Sequence, residues 1–157
     1  MKRKRNAISG SFVAFPHAML NHPNFCSLSG NAVKLLMLIA AQYKGNNNGD
    51  FQAGWKYAKK RGWKSQDTLH KAKQELIEKG FIAETRKGSF PNTCSLYGIT
   101  WQALDVNPKF DIGPGGFPVG AWNRSYPLLA VRRDALDTAG VQGKSRINMP
   151  PVSKGSQ

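Results

Sequence analysis

Apolar residues return at helical spacing in the stretch Trp63 to Gly80, WKSQDTLHKAKQELIEKG, where Leu69, Ala72, Leu76 and Ile77 share one side. Lys64, Asp67, Thr68, Lys71, Gln74 and Glu78 fall away from them, so the pattern predicts an amphipathic helix. Ser65 suits the N-cap, because its hydroxyl can accept from an orphan amide of the first turn, and Gly80 suits a left-handed stop. An earlier helix is predicted after Ser29, with Val33, Leu35, Leu36, Leu38, Ile39, Ala40 and Tyr43 spread nearly round the cylinder. Such a helix is expected at the centre of the core. Its end is marked by Gly45, Asn46, Asn47, Asn48 and Gly49, residues that tolerate turns.

The shorter patterns fill in around these two helices. Phe12, Val13 and Phe15 make an apolar run stopped by Pro16, after which His17 to Leu20 reads as a helical turn or two. Asp50 to Ala53 suits a brief strand. Gly54 to Arg61 predicts a second helix with Trp55 buried and Lys56, Lys59, Lys60 and Arg61 outside, and Trp63 is expected to pack beneath the turn at Gly62. Beyond the long helix, Phe81 to Arg86 and Ser95 to Trp101 are β-prone runs flanking a Gly/Pro-containing loop with Lys87 and Phe90, which predicts a hairpin. Phe90 is either a strand-end hydrophobe or an exposed contact. Helix, Gly-containing turn, helix and strand pair is the order of an α+β winged helix-turn-helix, a three-helix core with a β-hairpin wing.

Composition adds a partner class to this outline. The 157 residues carry a net charge of +14, and each part is basic: four cations lie in Met1 to Asn6, twelve against six acids in Ala7 to Asp105, and seven against three thereafter. A field of this sign draws polyanions by steering and counterion release. Residues 1–10, with Lys2, Arg3, Lys4 and Arg5 in a row, read as a flexible basic arm that follows a phosphate backbone or enters a minor groove. Residues 11–105 hold the folded domain. Residues 106–157 are rich in Pro and Gly and read as a largely disordered linker and tail, with a short helix at 128–137 as a partner motif.

Little in the chain suggests other chemistry. Cys26 and Cys94 stand alone without ligand spacing, so two free thiols in a reducing compartment are expected, with no metal and no cofactor. His17, His22 and His70 lack an Asp or Glu constellation, and no nucleophile can be matched with a base, so no enzyme is expected. The glycines of Gly113 to Gly116 lack the strand and Lys-Ser/Thr context of a phosphate loop. The apolar stretch Ala32 to Ala41 contains Lys34 and falls short of the ~20 residues that span a bilayer, so no membrane partner is expected.

AQYKGNNNGDF after the first long helix, RGWKSQDTLHKAKQEL across the turn and second long helix, and GFIAETRKG with SLYGITW around the hairpin are the strings that carry a resemblance. Over Phe12 to Asp105 the chain resembles winged-helix proteins of phages, plasmids and integrated elements, related in fold to plasmid replication initiators. The resemblance implies a sequence-specific double-stranded DNA-binding protein regulating transcription or replication of a mobile element, in a bacterial cytoplasmic, nucleoid-associated setting. It implies base-reading by Ser65, Gln66, Thr68, Lys71 and Gln74. Asp67, Glu75 and Glu78 depart from an all-basic face. Phosphate contacts are expected from Lys56, Lys59, Lys60, Arg61, Lys64, Arg86 and Lys87, on the helix and hairpin flanking the reader. A homodimer on a paired site and a protein partner held by the C-terminal tail are compatible with this reading. The alternative is a protein-protein adaptor or inhibitor of a host complex, since winged helices also serve that role. An RNA binder ranks below both, because no exposed aromatic pair for base stacking is evident.

Overall fold

Short hydroxyl side chains start both long helices. The computed structural model describes residues 10–124, which form α1 (His17–Leu20), α2 (Pro23–Cys26), α3 (Gly30–Ala40), β1 (Phe51–Gln52), α4 (Trp55–Lys59), α5 (Gln66–Glu78), β2 (Ile82–Arg86) and β3 (Leu96–Ile99). Two 3-10 turns follow, Pro114–Gly116 and Ala121–Asn123. The Ser29 hydroxyl accepts from Ala32 N–H at 3.2 Å, and the Ser65 hydroxyl from Thr68 N–H at 3.3 Å. At the far end of α5, Gly80 takes φ +77°, the Gly80 N–H donates to the Ile77 carbonyl and the Phe81 N–H to the Leu76 carbonyl. Those two bonds are the Schellman closure that a glycine at this position permits.

The core lies between α3, α5 and one side of the sheet. Ala32, Leu35, Leu36, Ile39 and Ala40 of α3 meet Leu69, Ala72 and Leu76 of α5, with Met19, Phe51, Ala58, Trp63, Phe81 and Ile82 around them. α3 is not buried all round as its apolar pattern suggests: Met37 and Lys34 are exposed and Val33 and Leu38 only half-covered. Trp55 is likewise half-buried, packed against the core rather than inside it. A side chain from a neighbouring helix completes the start of α3: the Glu75 carboxylate accepts the Ser29 N–H at 2.8 Å and the Ser29 hydroxyl at 2.6 Å.

The three strands are antiparallel in the order β1-β3-β2. β1 meets β3 through Phe51 opposite Tyr97 and Gln52 opposite Leu96, and its outer side is closed by Gln42, whose amide exchanges two 2.9 Å bonds with the Gln52 backbone. β2 carries a bulge at Thr85, between the pairs Glu84–Tyr97 and Arg86–Leu96. The extra residue turns inward, and its hydroxyl donates to the Gly49 carbonyl.

All four residues of β3 are buried, which requires cover on both faces. Tyr97 and Ile99 join the helical core, whereas Leu96, Leu104 and Phe117 are buried outside it. A Cβ at Gly98 would lie 3.0 Å from the Phe117 ring, so the glycine admits that ring against the strand. This second cover corrects the reading of everything after Asp105 as linker. Asp111 N–H donates to the Thr85 carbonyl at 2.8 Å, Gly120 N–H to the Thr100 carbonyl at 2.7 Å, and Asn24 Nδ2 to the Trp122 carbonyl at 2.9 Å. Pro and Gly limit regular structure here, yet two amides and one carbonyl of this strap find partners on the body of the fold. The 128–137 helix and the basic arm Lys2–Arg5 lie outside the described residues.

Asn48, which reads as one turn-former among several, is instead fully buried. Its Nδ2 donates toward the carbonyls of Ile99, Gln102 and Ala103 at 3.0, 3.1 and 2.9 Å, and its Oδ1 accepts the Ile99 N–H at 2.8 Å. This amide joins the loop after α3 to the chain leaving β3, alongside the Asn48 N–H donating to Asp105 Oδ2 at 2.7 Å and the Asp105 N–H donating to the Asn48 carbonyl at 3.2 Å.

Candidate nucleic-acid interface

Helical geometry distributes the residues expected to read bases. At about 100° per residue, Asp67, Lys71, Gln74 and Glu78 form the stripe opposite Leu69, Ala72 and Leu76, and all four are exposed. Gln66 lies on one flank of that stripe beside His70, while Thr68 lies on the other and is half-buried. The five expected readers therefore do not share one line: Lys71 and Gln74 are central, and Gln66 and Thr68 lie on opposite flanks of the first turn. Ser65 is exposed at that turn with its oxygen engaged as the cap.

Charge on the stripe is partly self-neutralised. Lys71 Nζ lies 2.8 Å from Asp67 Oδ2 with both side chains open to solvent. The hydrogen bond to Asp67, aided by its negative charge, holds the Lys71 ammonium above its ordinary pKa. Such an exposed pair is screened and readily exchanged for another anion. Lys73, one step toward the sheet, is withdrawn: its Nζ lies 3.4 Å from the Ala53 carbonyl and 5.5 Å from the Tyr97 ring centroid. Burial lowers its pKa, with Glu84 opposing.

Among the described residues, the strongest local charge lies just before α5. From Ala53 to Gln66 the chain holds Lys56, Lys59, Lys60, Arg61 and Lys64 and no acid. All five are exposed, and none forms an ion pair among the described residues. Arg61 stacks over the Tyr57 ring at 4.1 Å, which orients the guanidinium without neutralising it. Burial pushes the Tyr57 hydroxyl pKa up and the Arg61 cation opposes this, so the phenol stays neutral beside the cation.

The hairpin cations differ from each other. Lys87 is exposed, and its backbone N–H donates to Asp111 Oδ2 at 2.7 Å. Arg86 is half-buried, with Nε and one terminal nitrogen on the Cys94 carbonyl at 3.2 and 2.9 Å, so it first serves the hairpin. Beyond them Phe90 is 99% exposed, which resolves the two readings of that residue in favour of the open tip.

Lys34 belongs to the same surface, although nothing in the sequence pattern assigns it a role. It is exposed on α3 with Nζ 5.3 Å from the Trp63 ring centroid. Together with Asn31, Lys64, Ser65 and Thr68 it lines an open groove of about 200 Å³ at the start of α5. Its one sequence signal is that it is the single cation interrupting an apolar helix. Trp63 itself is buried beneath this groove, with its indole Nε1 lacking a partner.

Among the described residues no helix is long and apolar enough to cross a membrane. Cys26 and Cys94 are exposed and unpaired. No family model, curated protein or solved structure matches the chain.

Proposed function

We propose that the chain is a sequence-specific double-stranded DNA-binding protein of the winged helix-turn-helix type, acting in transcriptional or replication control of a mobile element. One observation carries the reading: the acid-free run of exposed cations from Lys56 to Lys64 leads directly into a helix whose outward centre is Lys71 and Gln74. The run supplies phosphate contacts that set register, and Lys71 and Gln74 supply donors and an acceptor suited to guanine and adenine edges in a major groove. The element order α3, β1, α4, α5, β2 and β3, with β1 closing on β3, supports the winged arrangement.

Selection of bound duplexes from a random pool at about 150 mM salt tests this reading, because nonspecific affinity collapses with salt while a specific motif survives. Recovery of a reproducible motif is the expected outcome. A pool that stays random sinks sequence specificity, and duplex binding that survives reversing the charge of Lys59, Lys60, Lys71 and Arg86 together removes this surface from the mechanism. Asp67 and Glu78 on the outward stripe support a second reading, an adaptor presenting mixed charge to a protein. Its signature is a partner retained from lysate after nuclease treatment together with no duplex preference at physiological salt.

A further inference from the structure

Single exposed hydrophobic residues are ordinary, and most signify nothing. Phe90 differs by where and how it is held. It stands 99% exposed at the end of the β2–β3 hairpin, with the adjacent Pro91 also exposed. The backbone beneath it is cross-tied: Ser89 and Thr93 exchange both N–H···O bonds at 2.9 Å, and Gly88 N–H donates to Ser95 Oγ at 2.9 Å. Further down the hairpin, the Arg86 guanidinium grips the Cys94 carbonyl. An aromatic ring is thus presented to solvent by a loop already ordered to present it, so little freedom remains to be lost when it meets a partner.

The surroundings select the partner. Residues 85–104 contain Arg86 and Lys87 and no acid; the neighbouring carboxylates are Glu84, on β2 opposite Tyr97, and Asp111, at the hairpin root on the Lys87 N–H. Thr85 and Leu96 are the last buried positions on the two strands. At the rise of an extended chain the five residues from Arg86 to Phe90 reach at most roughly 15 Å beyond Thr85, against a minor groove about 7.5 Å deep. An apolar tip with Arg86 and Lys87 behind it, and with Glu84 and Asp111 confined to the base of the hairpin, matches a duplex, whose edge is anionic and whose stacked interior is apolar.

We propose that Phe90 is a wedge: entering from the minor groove, its ring inserts at a flexible pyrimidine–purine step such as TA, unstacks it and bends the duplex toward the major groove. The inference rests on the DNA-binding reading above and adds a second activity, DNA bending, to it. No covalent change is involved. Arg86 and Lys87 act at the flanking phosphates, and Pro91 stiffens the edge behind the ring.

The test uses the full chain and a duplex of about 30 bp containing several TA steps, dye-labelled at both ends and carrying 2-aminopurine beside one step. Wild type should raise both energy transfer and 2-aminopurine fluorescence. Phe90→Ala should abolish both signals and weaken binding roughly tenfold, with unchanged thermal melting because the ring packs against nothing. Phe90→Leu should keep most of the bend, whereas Phe90→Lys should bind through its added charge without bending. Retained bending in Phe90→Ala, or wild-type binding without bending, overturns the wedge while leaving DNA binding intact. Failure of wild type to bind any duplex at low salt overturns both. Phe90-dependent sedimentation with phosphatidylserine-containing vesicles, alongside Phe90-independent bending, assigns the tip to a lipid surface and also overturns the wedge.

Discussion

Replacing Asn48 by Ala removes the side-chain amide between two loops and leaves the backbone ties of this residue to Asp105. The side chain engages four backbone groups at a position with no solvent exposure: its two Nδ2 protons are shared among three carbonyls at 2.9 to 3.1 Å, and its Oδ1 accepts the Ile99 N–H at 2.8 Å. Three protons are engaged, and at roughly 1 kcal/mol each the loss sums to about 3 kcal/mol. Carbonyls that find water in the vacated space reduce it, while Ile99 N–H, buried in the central strand, stays unpaired. The expected cost is therefore about 3 kcal/mol, a large share of the roughly 5–15 kcal/mol that typically holds a domain. Urea unfolding followed by tryptophan fluorescence reads this as a lower midpoint with an unchanged slope, and the melting temperature should fall by roughly 10 °C. Asn48→Asp sharpens the test. Its carboxylate still accepts from Ile99 but faces three carbonyls, so the folded state favours the protonated acid and raises its pKa. Stability of that variant should then rise as pH falls through the raised value, the reverse of ordinary acid destabilisation. A loss below about 1 kcal/mol for Ala, together with no pH rescue for Asp, refutes the amide as a tie.

Phe117→Ala should cost about 3 kcal/mol in the same urea assay, since its ring covers Gly98 of β3; a change near zero returns this segment to the status of linker. Gly80→Ala should destabilise by more than about 1 kcal/mol, because φ is +77° and the added Cβ would sit 2.5 Å from the Ala121 carbonyl oxygen, and calorimetry checks it. Burial pushes the Glu75 carboxyl up, but bonds from the Ser29 hydroxyl and N–H and from Lys79 outweigh this and hold its pKa below the ordinary value. Its contribution is present above the unfolded carboxyl range and is lost as pH falls through the lowered folded value; melting curves across acid pH for wild type and Glu75→Gln should converge there, with a gap of about 1 kcal/mol at neutral pH. Replacing Lys56, Lys59 and Lys60 by Ala should reduce the slope of log affinity against log salt by about 0.9 for each phosphate no longer neutralised, whereas Gln74→Ala should relax sequence preference and leave the slope unchanged.

Local patterns carry much of the architecture. The apolar repeat of α5, the hydroxyl caps Ser29 and Ser65, the stop at Gly80 and the paired β-prone runs are set by interactions within a few residues, so they are legible without a fold. The α+β class follows from their order, and the acid-free cation run is visible in the same way. What the chain alone does not reveal depends on partners distant in sequence. Asn48 looks like any turn asparagine until the carbonyls of Ile99 to Ala103 surround it, Arg86 looks free until the Cys94 carbonyl faces it, and Lys34 gains its place only when α3 and the start of α5 meet.

The same division applies to the strap and to α5 itself. Pro and Gly in residues 106–124 declare that no helix or strand will form there, and that much holds apart from two 3-10 turns; they are silent on whether β3 needs a second cover. Only the tertiary structure decides that, because a central strand buried on both faces must draw its second face from wherever an apolar side chain can reach, here Phe117. For α5 the sequence by itself determined which side is apolar and where the helix starts and stops. The fold decided which polar residues are left to meet a partner: Lys73 is drawn against Tyr97 and Ala53, Glu75 is engaged by Ser29, and Lys71 and Gln74 remain outward. Helical periodicity assigns a side chain to a face by angle, but what occupies the space beside that face is set by long-range packing.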